Sequence, residues 1–387
     1  MRTVVTAAWL WDGIGMVPTP VMELEDGIIA GIWPQAAGEL PEGSRLDFPG
    51  AILAPMFFDV HIHGAAGYDV MDASPEALAG ISTFLASRGT GNFLATTVTA
   101  PIDATLHSLA GLAKLLDQPQ PGAQPLGIHL EGPFLSHKKR GVHPEHLLQE
   151  PAIQLFDRMY EAAEGKIRLM TLAPELPNAA ELAAHAVAKG VRISAGHSNA
   201  TAAETHQLIA AGATSATHTF NAMRPLDHRE PGILGTVLST DSLYAELICD
   251  GVHVNPTLVK LWWRAKGRDR AILVTDAMRA AGMPDGQYEL AGLPVFVANG
   301  KASLEDGTLA GSVLTLDRAL SNLVSFTGAT VEEALPLLTR NPATMTGLND
   351  SVGHLRPGAP ASFLALRPDG SLSASVVHGE VVEPSAI

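Results

Sequence analysis

Residues 52–63 read ILAPMFFDVHIH, an apolar run that ends in two histidines. Residues two apart in a β-strand face the same side, so His61 and His63 are expected to point the same way. Imidazole nitrogens are good ligands for Zn²⁺ and similar divalent ions. A His-x-His pair alone is equally typical of a solvated or core position, so its meaning depends on the rest of the chain.

Four further apolar runs also end in a side chain that binds metals, namely Glu131, His197, His218 and Asp276. Amphipathic segments that predict helices separate most of these runs. The alternation predicts a parallel β/α barrel, in which the strand ends converge on one rim. A doubly wound open sheet is the competing architecture, but no Gly-x-Gly-x-x-Gly follows the first strand to support it.

The predicted organisation is an α/β protein with a (β/α)8 TIM barrel over residues 51–346. Strands are predicted at 51–58, 92–98, 126–130, 167–172, 191–195, 214–217, 244–248 and 271–275. Helices are predicted at 75–88, 104–116, 153–164, 179–189, 201–211, 256–266 and 314–327, with Ser74, Asn178 and Asn199 as caps. Short β-like runs at both ends predict a small β-sandwich domain built from residues 1–50 and 347–387.

Composition limits the possible partners. The chain has 387 residues and a formal net charge of −15, with no block of Lys and Arg, so a nucleic-acid or membrane surface is not expected. A few local Arg or His residues can still bind a small phosphorylated ligand. The single cysteine, Cys249, excludes an intrachain disulfide, and the apolar start is too short for a membrane span. The cytoplasm is the expected location.

The strand ends carry the candidate chemistry. Glu131 ends an apolar strand, where an unpaired carboxylate is costly to bury, so we predict a metal ligand rather than a salt bridge. His197 and His218 end neighbouring predicted strands. Asp276 is predicted to be a ligand, a general base, or both. His129, one layer lower, is predicted to be a hydrogen-bonded core histidine.

These residues together resemble the amidohydrolase superfamily, and within it the deacetylases of N-acetylglucosamine 6-phosphate. The segments that carry the resemblance are GIHLEGPF (127–134), GHS (196–198), HTFNAM (218–223), REPG (229–232), DGVH (250–253), VTDA (274–277) and TLAGS (308–312). The resemblance covers essentially the whole chain, and GIHLEGPF is far more specific than a His-x-His pair.

The resemblance implies roles for these residues. Glu131, His197 and His218 would bind one divalent ion, and His61 and His63, with Glu131 bridging, would bind a second. Zn²⁺ is expected, with Fe²⁺, Mn²⁺ or Co²⁺ as alternatives and one or two ions per subunit. Asp276 would be general base and acid, and His143 would stabilise the oxyanion. The implied substrate contacts are Val142, His143, Asn221, Ala222, Arg229, His253, Leu309, Ala310 and Gly311, with Arg229 reaching the partner's site in a homodimer.

Three alternatives stay open. One is a deacetylase of N-acetylgalactosamine 6-phosphate, and another is an amidohydrolase acting on a cyclic amide. Residues 167–172 offer no lysine at their C-terminal end for carboxylation, which disfavours the second. The third is a non-catalytic barrel, although no ligand is missing. Cys249 is expected to be a small core residue rather than a nucleophile, with an oxidisable thiol beside the site as the alternative. Lys138–Arg140 form a cationic loop that either attracts a phosphorylated substrate or is simply solvated.

Overall fold

The structure is a computed structural model that describes residues 2–35 and 40–383. Its strands are β1 (Arg2–Trp11), β2 (Met16–Pro18), β3 (Pro20–Glu25), β4 (Ile28–Pro34), β5 (Ser44–Pro55), β6 (Phe57–Ile62), β7 (Gly64–Ala65), β8 (Tyr68–Asp69), β9 (Thr90–Thr97), β10 (Gln124–Glu131), β11 (Ile167–Leu172), β12 (Arg192–Ala195), β13 (Ala213–Ala216), β14 (Tyr244–Ile248), β15 (Ala271–Val274), β16 (Gly286–Leu290), β17 (Leu293–Ala298), β18 (Lys301–Ser303), β19 (Phe363–Leu366), β20 (Leu372–Val377) and β21 (Glu380–Val382). Its helices are α1 (Pro75–Ser87), α2 (Ile102–Leu115), α3 (Ile153–Ala162), α4 (Ala179–Ala188), α5 (Ala202–Ala210), α6 (Gly232–Ser239), α7 (Pro256–Arg270), α8 (Leu316–Thr327), α9 (Val331–Ala334) and α10 (Arg340–Thr346).

Eight parallel strands form the predicted barrel. They lie in the order β6, β9, β10, β11, β12, β13, β14, β15, and helices α1 to α8 follow them one by one along the chain. The barrel closes through a parallel bridge between Ile62 and Ala277. Apolar side chains fill the interior and the layer beneath the helices. All eight strands therefore aim their carboxyl ends at one rim, where active sites of this fold lie.

A second sheet, built from both ends of the chain, forms the predicted small β-sandwich domain. Its strand order is β21, β20, β19, β5, β1, β3, β4, with β2 added to β1. Strand β5 pairs in parallel with β1 and antiparallel with β19, so the N-terminal and C-terminal segments meet at its centre. A separate apolar cluster that includes Leu10, Met22, Leu53 and Phe363 fills this domain.

The junction between the two sheets corrects one prediction. Residues 51–58 are predicted as the first barrel strand, but β5 runs to Pro55 in the terminal sheet and the barrel strand is β6. One residue, Met56, separates the two strands. The division of the chain at residues 50 and 346 stays a proposal, and its outer limits, Met1 and Ile387, lie outside the described residues.

The caps follow the sequence only in part. Ser74 caps α1 by accepting the backbone N–H of Ala77. Asn178 is the residue before α4, but its side chain makes no capping hydrogen bond. Helix α5 is capped by Thr201 rather than by Asn199, because Thr201 and Glu204 form a reciprocal capping box.

Helix α6 and the small sheet β16–β18 are not predicted by the sequence. The sheet follows the last barrel strand and packs on its own apolar cluster, which includes Val142, Met278 and Leu290. It therefore stands beside the barrel rim. Among the described helices, none is long and apolar enough to cross a membrane.

Candidate metal and active site

The predicted ligands gather at the barrel rim. His61 lies within β6 and Glu131 ends β10, while His63, His197, His218 and Asp276 lie one or two residues past their strands. His197, His218 and Asp276 have positive φ angles of 45°, 25° and 51°. Left-handed backbone is uncommon in residues other than glycine and clusters at functional sites. The turns after these strands thus bend the ligands over the barrel mouth.

Glu131 lies at the centre of a cluster of imidazoles and is only 2% exposed. Five Nε2 atoms surround its two carboxylate oxygens. Those of His61, His197 and His218 lie 3.3, 3.2 and 3.2 Å from Oε1, and those of His63 and His143 lie 3.2 and 3.6 Å from Oε2. One buried carboxylate therefore touches side chains from several separate strands.

Asp276 closes the cluster on the side of the cavity. Its Oδ1 lies 3.1 Å from His63 Nε2 and 3.5 Å from His61 Nε2. Burial opposes ionisation of Asp276, but the charge of His61 and the hydrogen bond with His63 lower its pKa to about 2. Burial likewise disfavours charge on His63, yet Asp276 and Glu131 raise its pKa to about 10. The two carboxylates therefore draw positive charge into the cluster.

The outer nitrogens of two histidines fix the direction of their lone pairs. His63 Nδ1 lies 3.0 Å from the Thr96 carbonyl oxygen, and His197 Nδ1 lies 2.9 Å from that of Lys139. Because a carbonyl only accepts, Nδ1 carries a proton, and Nε2 is the nitrogen that faces the cluster and offers a lone pair when a metal ion displaces its own proton. Convergent lone pairs and carboxylates with hydrogen-bonded outer nitrogens are the donor set of a divalent metal site.

The distances among the ligand atoms also fit metal binding. The Nε2 atoms of His197 and His218 lie 3.1 Å apart, and His61 Nε2 makes no hydrogen bond among the described residues. Three overlapping triads have ligand atoms within 4.8 Å of one another, namely His61–His218–Asp276, His61–His63–Glu131 and Glu131–His143–His197. The cluster therefore fits at least one divalent ion.

His143 differs from the ligands in its protonation. Its Nδ1 accepts the backbone N–H of Thr99 at 3.3 Å and lies 2.8 Å from the Thr99 hydroxyl. Burial lowers the pKa of His143 to about 4, despite the hydrogen bond with Glu131, so the ring is neutral near pH 7. A neutral ring that accepts at Nδ1 carries its proton on Nε2. His143 therefore presents a donor where the ligands present lone pairs.

A cavity of about 350 Å³ lies next to the cluster. Of the predicted substrate contacts, Val142, His143, Asn221, Ala222, His253, Leu309 and Gly311 line it. Ala310 is buried between two lining residues, and Arg229 is exposed and outside the lining. His253 Nδ1 lies 2.6 Å from Asp250 Oδ2, which fixes its ring. The backbone N–H of Ser312 donates to the Asp276 carbonyl at 2.8 Å and so holds the 308–312 loop over the site.

Several residues around the site are not predicted by the sequence. Leu290, from the small sheet, and Thr308 line the cavity. Asp59 accepts the Thr275 hydroxyl at 2.5 Å and braces the strand ends. Glu246 lies beneath His61, and its position in the apolar stretch YAELI was a usable signal. His129 is the predicted core histidine, because its Nε2 lies 2.8 Å from the Thr171 hydroxyl.

The cysteine and the cationic loop have different outcomes. Cys249 is fully buried and does not line the cavity, and burial raises the pKa of its thiol. The predicted core position of Cys249 is therefore confirmed, and the alternative of an oxidisable thiol at the site is wrong. Lys138 and Lys139 line the cavity, whereas Arg140 turns away and donates to the His143 carbonyl at 3.1 Å.

A model of the amidohydrolase family matches residues 52–382. The chain therefore belongs to the amidohydrolase family. It is 38% identical over 366 residues to N-acetylgalactosamine-6-phosphate deacetylase of Escherichia coli O157:H7, an alignment that covers 95% of each chain. It is 36% identical to N-acetylglucosamine-6-phosphate deacetylase of Bacillus subtilis strain 168, covering 92% of this chain and 91% of the relative.

The fold matches a solved deacetylase closely. A variant of N-acetyl-D-glucosamine-6-phosphate deacetylase from Mycobacterium smegmatis, in complex with N-acetyl-D-glucosamine 6-phosphate, superposes with a TM-score of 0.92. The two sequences are 32% identical, and the match covers 99% of each chain. The predicted resemblance and the predicted barrel with its terminal domain are thereby confirmed.

Proposed function

We propose that this chain hydrolyses the acetamide of N-acetyl-D-glucosamine 6-phosphate, giving D-glucosamine 6-phosphate and acetate, in amino-sugar metabolism. One observation carries the proposal. Asp276, the His143 donor and the buried ligand cluster all face the same cavity of about 350 Å³. A base, an oxyanion donor and a metal site that meet in one cavity are the parts that hydrolysis of an amide requires.

The metal ligands divide into two sets. Glu131, His197 and His218 would hold one divalent ion, and His61 and His63 would hold a second with Glu131 as the shared carboxylate. The imidazole and carboxylate donors suit Zn²⁺ first, with Fe²⁺, Mn²⁺ or Co²⁺ as alternatives. When bound, such an ion polarises the carbonyl and lowers the pKa of a water molecule to about 7.

Asp276 and His143 would then handle the proton and the developing charge. Asp276 takes a proton from the attacking water while the water oxygen bonds to the acetyl carbon. His143 donates its Nε2–H to the carbonyl oxygen as negative charge develops there. When the carbon–nitrogen bond breaks, Asp276 returns the proton to the leaving amine. Its low pKa, about 2, keeps the Asp276 carboxylate ionised at neutral pH, so the carboxylate is free to accept the proton.

The sugar phosphate would contact the residues that line the remaining wall. Asn221, the Ala222 amide and His253 are proposed to bind the phosphate, and Val142 and residues 309–311 the sugar. Lys138 and Lys139 add positive charge to this wall. Arg229 is exposed and outside its own cavity, which suits a role in the site of a second copy. We therefore propose a homodimer, in the cytoplasm.

The galactose epimer is the second candidate substrate. Its support is the 38% identity to the E. coli deacetylase named for N-acetylgalactosamine 6-phosphate. Acetate release from both sugar phosphates, measured as kcat/KM on the purified protein, decides between them. A preference for the glucosamine derivative supports the proposal, and a preference for the galactosamine derivative replaces it. Turnover of cyclic amides without activity on either sugar phosphate would reject both.

A further inference from the structure

Glu246 is a buried acid that the proposed reaction does not use. It lies in the middle of β14 with an exposed fraction of 0%, among the apolar side chains of the barrel interior. An ionised carboxylate in such a place is strongly unfavourable unless another group compensates it. The residue therefore needs a partner, and its neighbours identify one.

Glu246 contacts two of the proposed metal ligands. Its Oε2 lies 3.3 Å from His61 Nδ1, and the same oxygen accepts the backbone N–H of His218 at 3.3 Å. Its own backbone carbonyl accepts the N–H of Thr219 at 2.8 Å. Its Oε1 makes no hydrogen bond within residues 2–35 and 40–383. The ring of His61 is thus the one titratable side chain in that range to which the Glu246 carboxylate is hydrogen-bonded.

The contact determines which way the His61 lone pair points. Because a carboxylate accepts, the proton of His61 belongs on Nδ1, and Nε2 faces Glu131 and Asp276, 3.3 and 3.5 Å away. His63 and His197 are oriented by neutral carbonyl groups instead. A charged acceptor increases the basicity of a histidine ligand more than a neutral one does, and it also holds the ring in place.

We infer that Glu246 is a positioning residue for the metal site formed by His61 and His63. Its carboxylate would orient His61 and raise the affinity of that site, without touching substrate. The inference rests on the proposed assignment of two metal sites. It distinguishes those sites, because among the described residues the Glu246 carboxylate is hydrogen-bonded to the ring of His61 but to neither the ring of His197 nor that of His218.

Two variants of Glu246 test the inference by metal titration. Zn²⁺-free wild type, Glu246→Leu and Glu246→Gln are titrated calorimetrically with Zn²⁺, and bound metal is counted after dialysis. Glu246→Leu is expected to lower affinity of the second ion by roughly 10- to 100-fold, the usual effect of losing such a partner. Glu246→Gln should lose less, because its amide oxygen still accepts from Nδ1. The first ion should lose less affinity than the second, because Glu246 meets that site only through the backbone N–H of His218.

Co²⁺ provides a readout that a general loss of stability would not reproduce. Wild type loaded with two Co²⁺ ions should change its visible absorption in two steps, and Glu246→Leu should lose the second step at the same metal concentration. Asp317→Asn is the matched control, since Asp317 is another buried acid, paired with Arg88 away from the cluster. That variant should lose stability and keep both steps.

The outcomes separate this inference from the proposed function. Unchanged affinity for the second ion in Glu246→Leu, or equal weakening of both ions, overturns the positioning role. Wild type that takes up a single ion also overturns it, while deacetylation by that one-metal protein would leave the proposed reaction standing. Wild type that binds two ions but releases no acetate rejects the proposed function. The metal titrations of the variants still decide whether Glu246 raises the affinity of the second ion.

Discussion

Thr99 holds the ring of His143 by two contacts, a hydroxyl 2.8 Å from Nδ1 and a backbone N–H that donates to the same atom at 3.3 Å. A nitrogen that accepts the backbone proton cannot carry one itself in the neutral ring. His143 therefore accepts a hydrogen bond at Nδ1, whereas His63 and His197 donate one from that nitrogen. Among the cluster's histidines this makes it the one suited to donate to an oxyanion rather than to bind a cation.

Replacing His143 by Ala should lower kcat by ~10²–10³, the usual effect of losing one oxyanion donor. KM should change less, because the ground-state amide gains little from that donor. Thr99→Val, which removes the hydroxyl but keeps the backbone N–H, should cause a smaller fall. Steady-state kinetics on both variants measure this, and wild-type kcat in His143→Ala would contradict the assignment.

Asp276→Asn should keep its metal and lose most of its activity. The amide cannot accept the proton of the attacking water, so kcat is expected to fall by ~10²–10⁴. Metal analysis and acetate release on the same preparation test both halves of this expectation. Asp269→Asn is a suitable control, because that acid is exposed and pairs with Arg340 far from the cluster. Near-normal turnover in Asp276→Asn would remove it from the reaction.

Removing the metal should destabilise the protein as well as inactivate it. Without a cation, the buried carboxylates of Glu131 and Asp276 depend on protonated histidines alone. Binding of one ion to the native state at a free concentration 1,000-fold above Kd adds about 4 kcal/mol to the free energy of unfolding. Tm should therefore drop by several degrees on chelation and rise again with added Zn²⁺. A Tm independent of metal concentration would argue against a built site.

Cys249 should be unreactive in the folded protein. Burial raises the pKa of its thiol above that of a free cysteine and shields the sulfur from solvent, and only the thiolate reacts readily. Ellman's reagent should detect no thiol in the native protein and one per chain after denaturation. Rapid native labelling that increases with pH would show that the thiol is accessible.

Mixing two inactive variants tests the position of Arg229. If Arg229 serves the partner's site, Arg229→Ala and Asp276→Asn each inactivate both sites of a homodimer. A mixed dimer has one site with both residues, so an equal mixture that exchanges subunits should recover about a quarter of wild-type activity. An arginine that serves its own subunit would give no recovery. Size-exclusion chromatography with light scattering establishes the dimer itself.

Most residues of the barrel rim can be predicted from the sequence, because the end of each strand is encoded in the few residues around it. A short apolar run that stops at Glu131, His197 or Asp276 predicts both the strand and the polar residue at its carboxyl end. The structure brings these three residues together. Cys249 likewise follows from its apolar neighbours. The local pattern is sufficient to predict a site residue wherever the strand and the residue at its end lie in the same short segment.

The remainder depends on partners distant in sequence. Residues 52–63 do not show which sheet each part of the run joins, because the division at Met56 comes from pairing of β5 with β19. Asn199 and Thr201 are both acceptable caps, and Glu204 decides for Thr201. Residues 293–298 read LPVFVA, and their β-branched and aromatic residues are a strand signal that the sequence did contain. Arg229 cannot be assigned from one chain, because its proposed contact lies in another.

Met56 couples the geometry of the His61–His63 pair to the terminal domain. Strand β5 is fixed by β1 and β19, and β6 starts one residue after it ends. One residue inserted at this joint would shift β6 by about 3.3 Å or turn alternate side chains to the opposite face. Chimaeras that exchange the small domain between relatives must therefore preserve the chain length at this joint, where a single-residue error would misplace two ligands without altering either.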